Sequence, residues 1–234
     1  SVVAQLRWKN MDTAFGVLPA SLHIYRTDDS LDGKPNVSWY LEADLKDKQL
    51  EFLTDTTLGR RLTPQQFYDK NGQPSLVVNT TFFSFATNQN LNVVIKDGRL
   101  VGHNIHSIPG RGKDTLTWRH PVGSAIGISK KREVDIDWLY TDSSMKQPLL
   151  LPAPVAAVKD SNNFFNPLTH DGISGRQKKQ LKKWKMQSAV GGGPVLLQEG
   201  EIKITNEEEL KFYGTAIQDK HPRTAMGYTN DHKL

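Results

Sequence analysis

Alternation of hydrophobic and polar positions runs through much of the chain and predicts β-strands. The segments concerned are rich in β-branched and aromatic residues, which suit a pleated, half-buried surface. Asp97-Gly98 stands between two such runs and has the sequence of a type I′ hairpin turn. Strands are predicted within residues 21–27, 37–45, 49–54, 75–85, 91–102, 124–129, 133–140, 195–204 and 224–229.

Two segments predict short helices instead. In residues 62–72, Thr63 is a suitable N-cap and Pro64 fits the first helical position. Residues 205–214 begin with capping side chains and acids that suit the first turn, and Gly214 is expected to end the helix.

Hairpins therefore outnumber possible strand–helix–strand units, and antiparallel pairing should prevail. We predict an α+β fold: a mixed, mostly antiparallel, strand-rich single domain with a few short helices. Residues 1–36 are interpreted as an N-terminal strand or extension and residues 37–234 as the domain. Residues 141–186 are dense in Pro, Ser, Asn and Gly, which predicts a surface insertion.

Composition excludes several classes of protein. The chain has 234 residues and no cysteine, which excludes a disulfide framework, thiolate metal sites and a cysteine nucleophile. Its net charge of +5 is a mild excess that gives no argument for nucleic-acid binding. No apolar run has the ~18 residues that suggest a membrane span. No P-loop, zinc signature or nucleophile elbow occurs, and no metal site is predicted.

The first motif with chemical potential is "VVNTTFF", residues 77–83. Asn79 carries both donors and an acceptor, so at the end of a strand it is suited to fix a substrate hydroxyl or phosphate oxygen. Phe82 and Phe83 are candidates for a wall on which a sugar stacks. The alternative is that both phenylalanines belong to the core and Asn79 caps a turn.

The second motif is "GGGPVLL", in which Gly191, Gly192 and Gly193 precede Pro194. Glycines let the main chain approach a ligand closely, and their N–H groups are suited to hold an anion. Proline then fixes the direction in which the chain leaves. The alternative is a bulged turn.

The third motif is "HPRTAMGYT", in which Arg223 and Thr224 follow a proline. The planar guanidinium suits phosphate or carboxylate, and the threonine offers a hydroxyl. Arg111, between two glycines, is a further candidate to meet an anion. The alternative for Arg223 is an ordinary surface arginine.

In this order and spacing, the three motifs resemble the phosphodiester glycosidase family over roughly residues 37–234. Family sequences combine Asn-x-x-Phe-Phe, Gly-Gly-Gly-Pro followed by a tight turn, and Pro-Arg-Thr-Ala. Thr80 and Thr81 stand here where the family most often has two glycines. The family continues with a segment ending Asn-Leu-Asp-Gly-Gly-Gly-Ser, to which we assign the expected site carboxylate; the present sequence ends at "GYTNDHKL".

The resemblance implies a hydrolase that cleaves the glycosidic C1–O bond of a sugar-1-phosphodiester and requires no cofactor. Arg223 and Asn79 are the expected catalytic residues; the expected substrate-binding residues are Gly191, Gly192, Gly193, Thr224, Phe82, Phe83 and Arg111. The partner is a small or polymeric glycan that carries a phosphodiester, and we expect a secreted or cell-envelope bacterial protein whose signal peptide has been removed. Two alternatives stay open: a non-catalytic protein that binds anionic glycans or cell-wall polymer, and a structural β-rich domain.

Overall fold

The structure, a computed structural model, describes residues 6–110, 113–151, 153–154, 158–169 and 174–234. The described strands are β1 (Lys9–Asn10), β2 (Leu22–Thr27), β3 (Ser38–Ala43), β4 (Val94–Lys96), β5 (Arg99–Gly102), β6 (Ile108–Pro109), β7 (Trp118–His120), β8 (Gly123–Ile128), β9 (Val134–Tyr140), β10 (Leu149–Leu151), β11 (Val158–Asp160), β12 (Lys182–Lys183), β13 (Ser188–Gly191), β14 (Leu197–Gln198) and β15 (Glu201–Ile202). The described α-helices are α1 (Pro64–Lys70), α2 (Gly175–Gln180) and α3 (Asn206–Glu209), and short 3₁₀ helices span Asp12–Phe15 and Gly214–Ile217.

The chain divides into two compact units, one formed by Ser1–Glu51 with Met226–Leu234 and the other by Phe52–Ala225. The first unit holds the antiparallel sheet β1-β2-β3, so β2 pairs with β3 across the boundary predicted at residues 36–37. The end of the chain is attached to β3, because the main chains of Ala43 and Leu234 exchange hydrogen bonds of 2.9 and 3.0 Å.

The second unit is built around a seven-stranded sheet in the order β12-β10-β9-β8-β13-β4-β5. Side chains alternate between the two faces of a strand, so β9 sends Trp138 and Tyr140 to one face and Leu139 to the other. Each face is covered by an apolar cluster. One comprises Val122, Trp138, Tyr140, Leu151, Phe165 and Val195, and the other Val93, Ile95, Ala125, Leu139, Trp184 and Ala189.

The predicted strand-rich, mostly antiparallel fold with few helices is confirmed, since every described strand pair is antiparallel. The Asp97-Gly98 turn has φ angles of 52° and 73°, as a type I′ hairpin requires. Helix α1 starts as predicted. The Thr63 side chain accepts from the Gln66 N–H, and the Gln66 side chain accepts from the Thr63 N–H in return.

Three strand predictions are wrong, those for residues 49–54, 75–85 and 224–229. Their apolar residues have strand propensity, but among the described residues no strand lies beside them to pair their amides, apart from a single bridge at Phe83. Accordingly, Val78 and Met226 are about two-fifths exposed. Helix α3 also ends before Gly214, because the left-handed Leu210 (φ 50°) terminates it.

The stretch 141–186 adds strands to the edge of the large sheet. β10 pairs with β9, and β12 is the outermost strand beside it. The same stretch also places Leu151, Phe165 and Trp184 in the two apolar clusters, each at most 2% exposed. It therefore contributes to the core as well as to the surface.

Two half-buried carboxyl groups are neighbours on one face of β9. Burial, and then the hydrogen bond and charge of Asp135, raise the pKa of Asp137 from its ordinary 3.8 to about 8. The Trp184 indole N–H donates to the other carboxyl group, Asp135 Oδ2, at 2.9 Å. The pair is therefore held with a proton on Asp137 at neutral pH.

A group whose pKa is raised by folding makes stability fall as pH rises between the unfolded and folded pKa values. We expect the free energy of unfolding to decline from about pH 4 to about pH 8. Asp137→Asn, which keeps the neutral form, should flatten this decline and add roughly 1 kcal/mol at pH 8, a modest value because solvent screens part of the pair. Urea unfolding across this pH range measures it, with Asp97→Asn in the exposed hairpin turn as the charge-matched control. An unchanged pH profile would contradict the raised pKa of Asp137.

Candidate functional site

The glycine run follows the end of β13, and its three residues are glycine for different reasons. A Cβ on Gly191 would lie 2.8 Å from Asn92 Cβ, closer than real contacts allow. Gly193 has φ 94°, and a Cβ there would collide with Glu209 Oε2. A Cβ on Gly192 would meet nothing within 4 Å. Packing thus requires glycine at two of the positions, and the third leaves open space.

The main-chain donors of the run are not equally available to a ligand. Gly191 N–H donates to Val93 O at 2.7 Å, and Gly192 N–H donates to Ser124 O at 3.2 Å. Gly193 N–H has no acceptor among the described residues. Of the three donors proposed from the sequence, Gly193 is therefore the one left for an anion.

Glu209 fixes the loop that contains these glycines. It is 1% exposed, and its two oxygens accept five hydrogen bonds from four separate parts of the unit. A buried carboxylate is tolerated when its lone pairs are satisfied in this way. The donors are Ser124 N (3.0 Å), Ser124 Oγ (2.9 Å), Trp138 Nε1 (3.1 Å), Val195 N (3.1 Å) and Thr205 Oγ1 (2.6 Å).

Sequence reasoning missed Glu209 because it treated all three acids of "EEE" as first-turn residues facing the helix dipole. The signal lay four residues earlier. Thr205 and Glu209 stand at i and i+4, which puts both side chains on one face of a single helical turn. Their hydrogen bond of 2.6 Å uses the hydroxyl that would otherwise cap the helix.

Lys211 stands two residues after Glu209 in the sequence and lies against the glycine loop. Its Cε is 3.0 Å from the point where a Cβ on Gly193 would stand, and its Nζ lies 5.7 Å from the centre of the Phe82 ring. Burial lowers the pKa of the Lys211 ammonium, and the negative charge of Glu209 acts in the opposite direction.

Two aromatic rings connect Lys211 with the third motif. Phe82 and Phe212 meet edge to face with 6.0 Å between ring centres, and the Arg223 guanidinium lies 4.3 Å from the centre of the Phe212 ring. Phe82 is 38% exposed. The interpretation of Phe82 as a core residue is therefore wrong, and its ring is accessible to a ligand.

Arg223 and Thr224 also make polar contacts. Arg223 Nη2 donates to Ala216 O at 2.8 Å and to Asp219 O at 3.2 Å, which anchors the turn before the motif. Thr224 Oγ1 donates to Asn79 Oδ1 at 3.2 Å across 145 positions of sequence. The first and third motifs are thus in direct contact.

The remaining predicted site residues lie apart or outside the description. The ring centres of Phe83 and Phe85 are 4.8 Å apart, and the Arg61 guanidinium lies 5.6 Å from the centre of the Phe83 ring. No described ring contact joins Phe83 to the Phe82–Phe212 pair. Arg111 lies outside the described residues. Within the described part of the chain, no group of three or more His, Asp or Glu side chains is arranged to hold a metal ion.

Comparison with known proteins identifies one family. Residues 144–234 match the family described as phosphodiester glycosidase. The match contains the Gly-Gly-Gly-Pro and Pro-Arg-Thr-Ala motifs but does not reach Asn79, so the resemblance inferred from the sequence is confirmed for this C-terminal part. No curated protein and no solved structure matches the chain. Among the described helices, none has both the length and the apolar character needed to cross a membrane.

Glu209→Gln should destabilise the second unit. An amide NH₂ in place of one carboxylate oxygen cannot accept, so at least two buried donors lose their partner. We expect a loss of about 3 kcal/mol in the free energy of unfolding, measured by urea denaturation. The control is Glu208→Gln in the same helix, whose side chain has no hydrogen bond to a described residue. A difference between the two variants below about 0.5 kcal/mol would show that the carboxylate does not hold the loop.

Proposed function

We propose, from the match of residues 144–234 to the phosphodiester glycosidase family, that this protein hydrolyses sugar-1-phosphodiesters. The bond broken is the one between the anomeric C1 and the bridging phosphate oxygen. The oxygen of water bonds to C1, the bridging oxygen keeps the electron pair of the broken bond, and one proton of the water is released to the phosphate or solvent. The products are a free sugar and a phosphate monoester.

The observation that carries the proposal is the hydrogen bond between Thr224 and Asn79. It joins a motif inside the family match to a motif outside it, on the side of the unit that also carries the exposed Phe82 ring. From this contact, Arg223, the edge-to-face pair of Phe212 and Phe82, and Lys211 lead to the glycine loop. Polar, cationic and aromatic groups thus form one continuous cluster, as recognition of a sugar phosphate demands.

The chemistry assigns a role to each group. A phosphate is already a good leaving group, so stabilising its charge matters more than strong protonation by an acid. Arg223 and the Gly193 N–H supply this stabilisation. Asn79 Oδ1 accepts from Thr224, which orients the amide so that its NH₂ is directed to a sugar hydroxyl. Phe82 offers its exposed ring to the apolar face of the sugar.

Non-catalytic binding of an anionic glycan is the second candidate, and the hydrogen bonding of Glu209 favours it. Glycosidases use a carboxylate to stabilise the oxocarbenium-like centre or to activate water. Both oxygens of this buried carboxylate already accept hydrogen bonds from the protein. A binding protein would use the same cluster without turnover.

Incubation with a panel of sugar-1-phosphodiesters in ¹⁸O-labelled water tests the proposal directly. The expected result is a reducing sugar that carries ¹⁸O at C1 and a phosphate monoester that carries none, as read by mass spectrometry. Label in the phosphate would mean cleavage of the P–O bond and would overturn the assigned reaction. Saturable binding of the same compounds without any product would support the binding protein.

Arg223→Lys keeps the charge but loses the planar fork that stacks on Phe212 and reaches two carbonyls. We expect kcat/KM to fall by ~10²-fold, the range for losing a transition-state donor. Arg26→Lys, which loses a comparable stack on Trp39 in the other unit, is the control and should keep full activity. If Arg223→Lys lowers Tm but leaves kcat/KM intact, the arginine serves only to hold its turn.

A further inference from the structure

Lys211 is a cation for which the protein itself offers no described acceptor. The nearby carboxylate, Glu209, is occupied by five other donors, and no described residue accepts a hydrogen bond from Lys211 Nζ. The side chain is only partly exposed and lies between the Phe82 ring and the glycine loop. A partly desolvated ammonium without a hydrogen-bond acceptor is costly, and a bound anion would supply that acceptor.

The main chain beside Lys211 also has a hydrogen-bond donor without a described acceptor. Gly193 N–H has no described acceptor, and the Lys211 Cε packs against this residue. An ammonium and a main-chain N–H are the donors that phosphate oxygens take in anion-binding loops, and here the end of the Lys211 side chain lies beside Gly193. At the neighbouring Gly192, a Cβ would meet nothing within 4 Å beyond its own chain neighbours, so the loop has open space next to Gly193.

We propose that Lys211 Nζ and the Gly193 N–H form a phosphoryl-binding subsite, and that Lys211 is a catalytic residue that contacts the phosphate of the substrate. The second part rests on the proposed function, whereas the first concerns anion binding alone. In the reaction, the ammonium offsets the charge that the bridging oxygen gains as the C1–O bond breaks. Arg223, on the adjacent Phe212 ring, is the second cation of the same cluster.

Phosphate binding tests the subsite without requiring turnover. Inorganic phosphate is titrated into the protein by calorimetry at pH 8, where the anion carries mainly two charges. Lys211→Met keeps most of the length of the side chain but removes its charge and should weaken phosphate binding at least 10-fold. Lys203→Met, which removes an exposed lysine paired with Glu201 at 3.1 Å, is the matched control and should bind as the parent does. Equal affinity of Lys211→Met and the parent would overturn the subsite.

A second variant separates a binding role from a structural one. Lys211→Arg stays charged at every accessible pH, whereas the lysine loses its proton as pH rises through a pKa lowered by burial and opposed by Glu209. Phosphate affinity of the parent should therefore fall at alkaline pH and that of Lys211→Arg should persist. Identical alkaline profiles would exclude Lys211 as the ligand, and this comparison stands even if Lys211→Met fails to fold.

The kinetic arm separates the subsite from the proposed reaction. With an active parent, Lys211→Met should lower kcat/KM by ~10²-fold or more. If the parent hydrolyses none of the phosphodiesters but loses phosphate binding on Lys211→Met, the proposed function fails and the subsite stands. If the parent is active and Lys211→Met keeps both kcat/KM and phosphate affinity, the function stands and the subsite fails.

Discussion

The arrangement of the candidate site depends on one buried carboxylate. Glu209 draws hydrogen-bond donors from the start of β8, from β9, from the loop after β13 and from the residue before α3. These elements are distant in sequence, and only a group with several strong acceptor positions satisfies them together. The same carboxylate prevents any side chain at Gly193, so the path of the loop and the hydrogen-bond network require each other.

Near this network, aromatic rings hold two cationic side chains in place. Lys211 lies over Phe82 and Arg223 over Phe212, and the two rings touch. Stacking holds a cation in place without neutralising it, because the ring quadrupole is a weak partner compared with a carboxylate. The two positive side chains consequently stay available for an anion from outside, while the buried Glu209 carboxylate is fully used by the protein.

Local rules predicted the parts of this fold that depend on neighbours in sequence. The Asp97-Gly98 turn and the Thr63 cap were predicted because each needs only a few adjacent residues. Segment 75–85 was predicted wrongly because a strand also needs a partner, and apolar alternation says nothing about whether one is present. Asn79 and Thr224 were named from motif order. Lys211 was overlooked because its contacts are distant in sequence, and Glu209 because most of its donors are, although its partner Thr205 stands only four residues earlier.

Because the three glycines are packed differently, one of them is a suitable position for attaching a chemical label. The chain contains no cysteine, so a thiol introduced at Gly192 would be unique in the molecule. The open space at that position would accept a thiol-linked fluorophore without disturbing the loop, while Gly191 and Gly193 would reject any side chain. If all three positions were randomised and folded variants were selected, Gly191 and Gly193 should almost always remain glycine. Gly192, between them, should tolerate a reporter group.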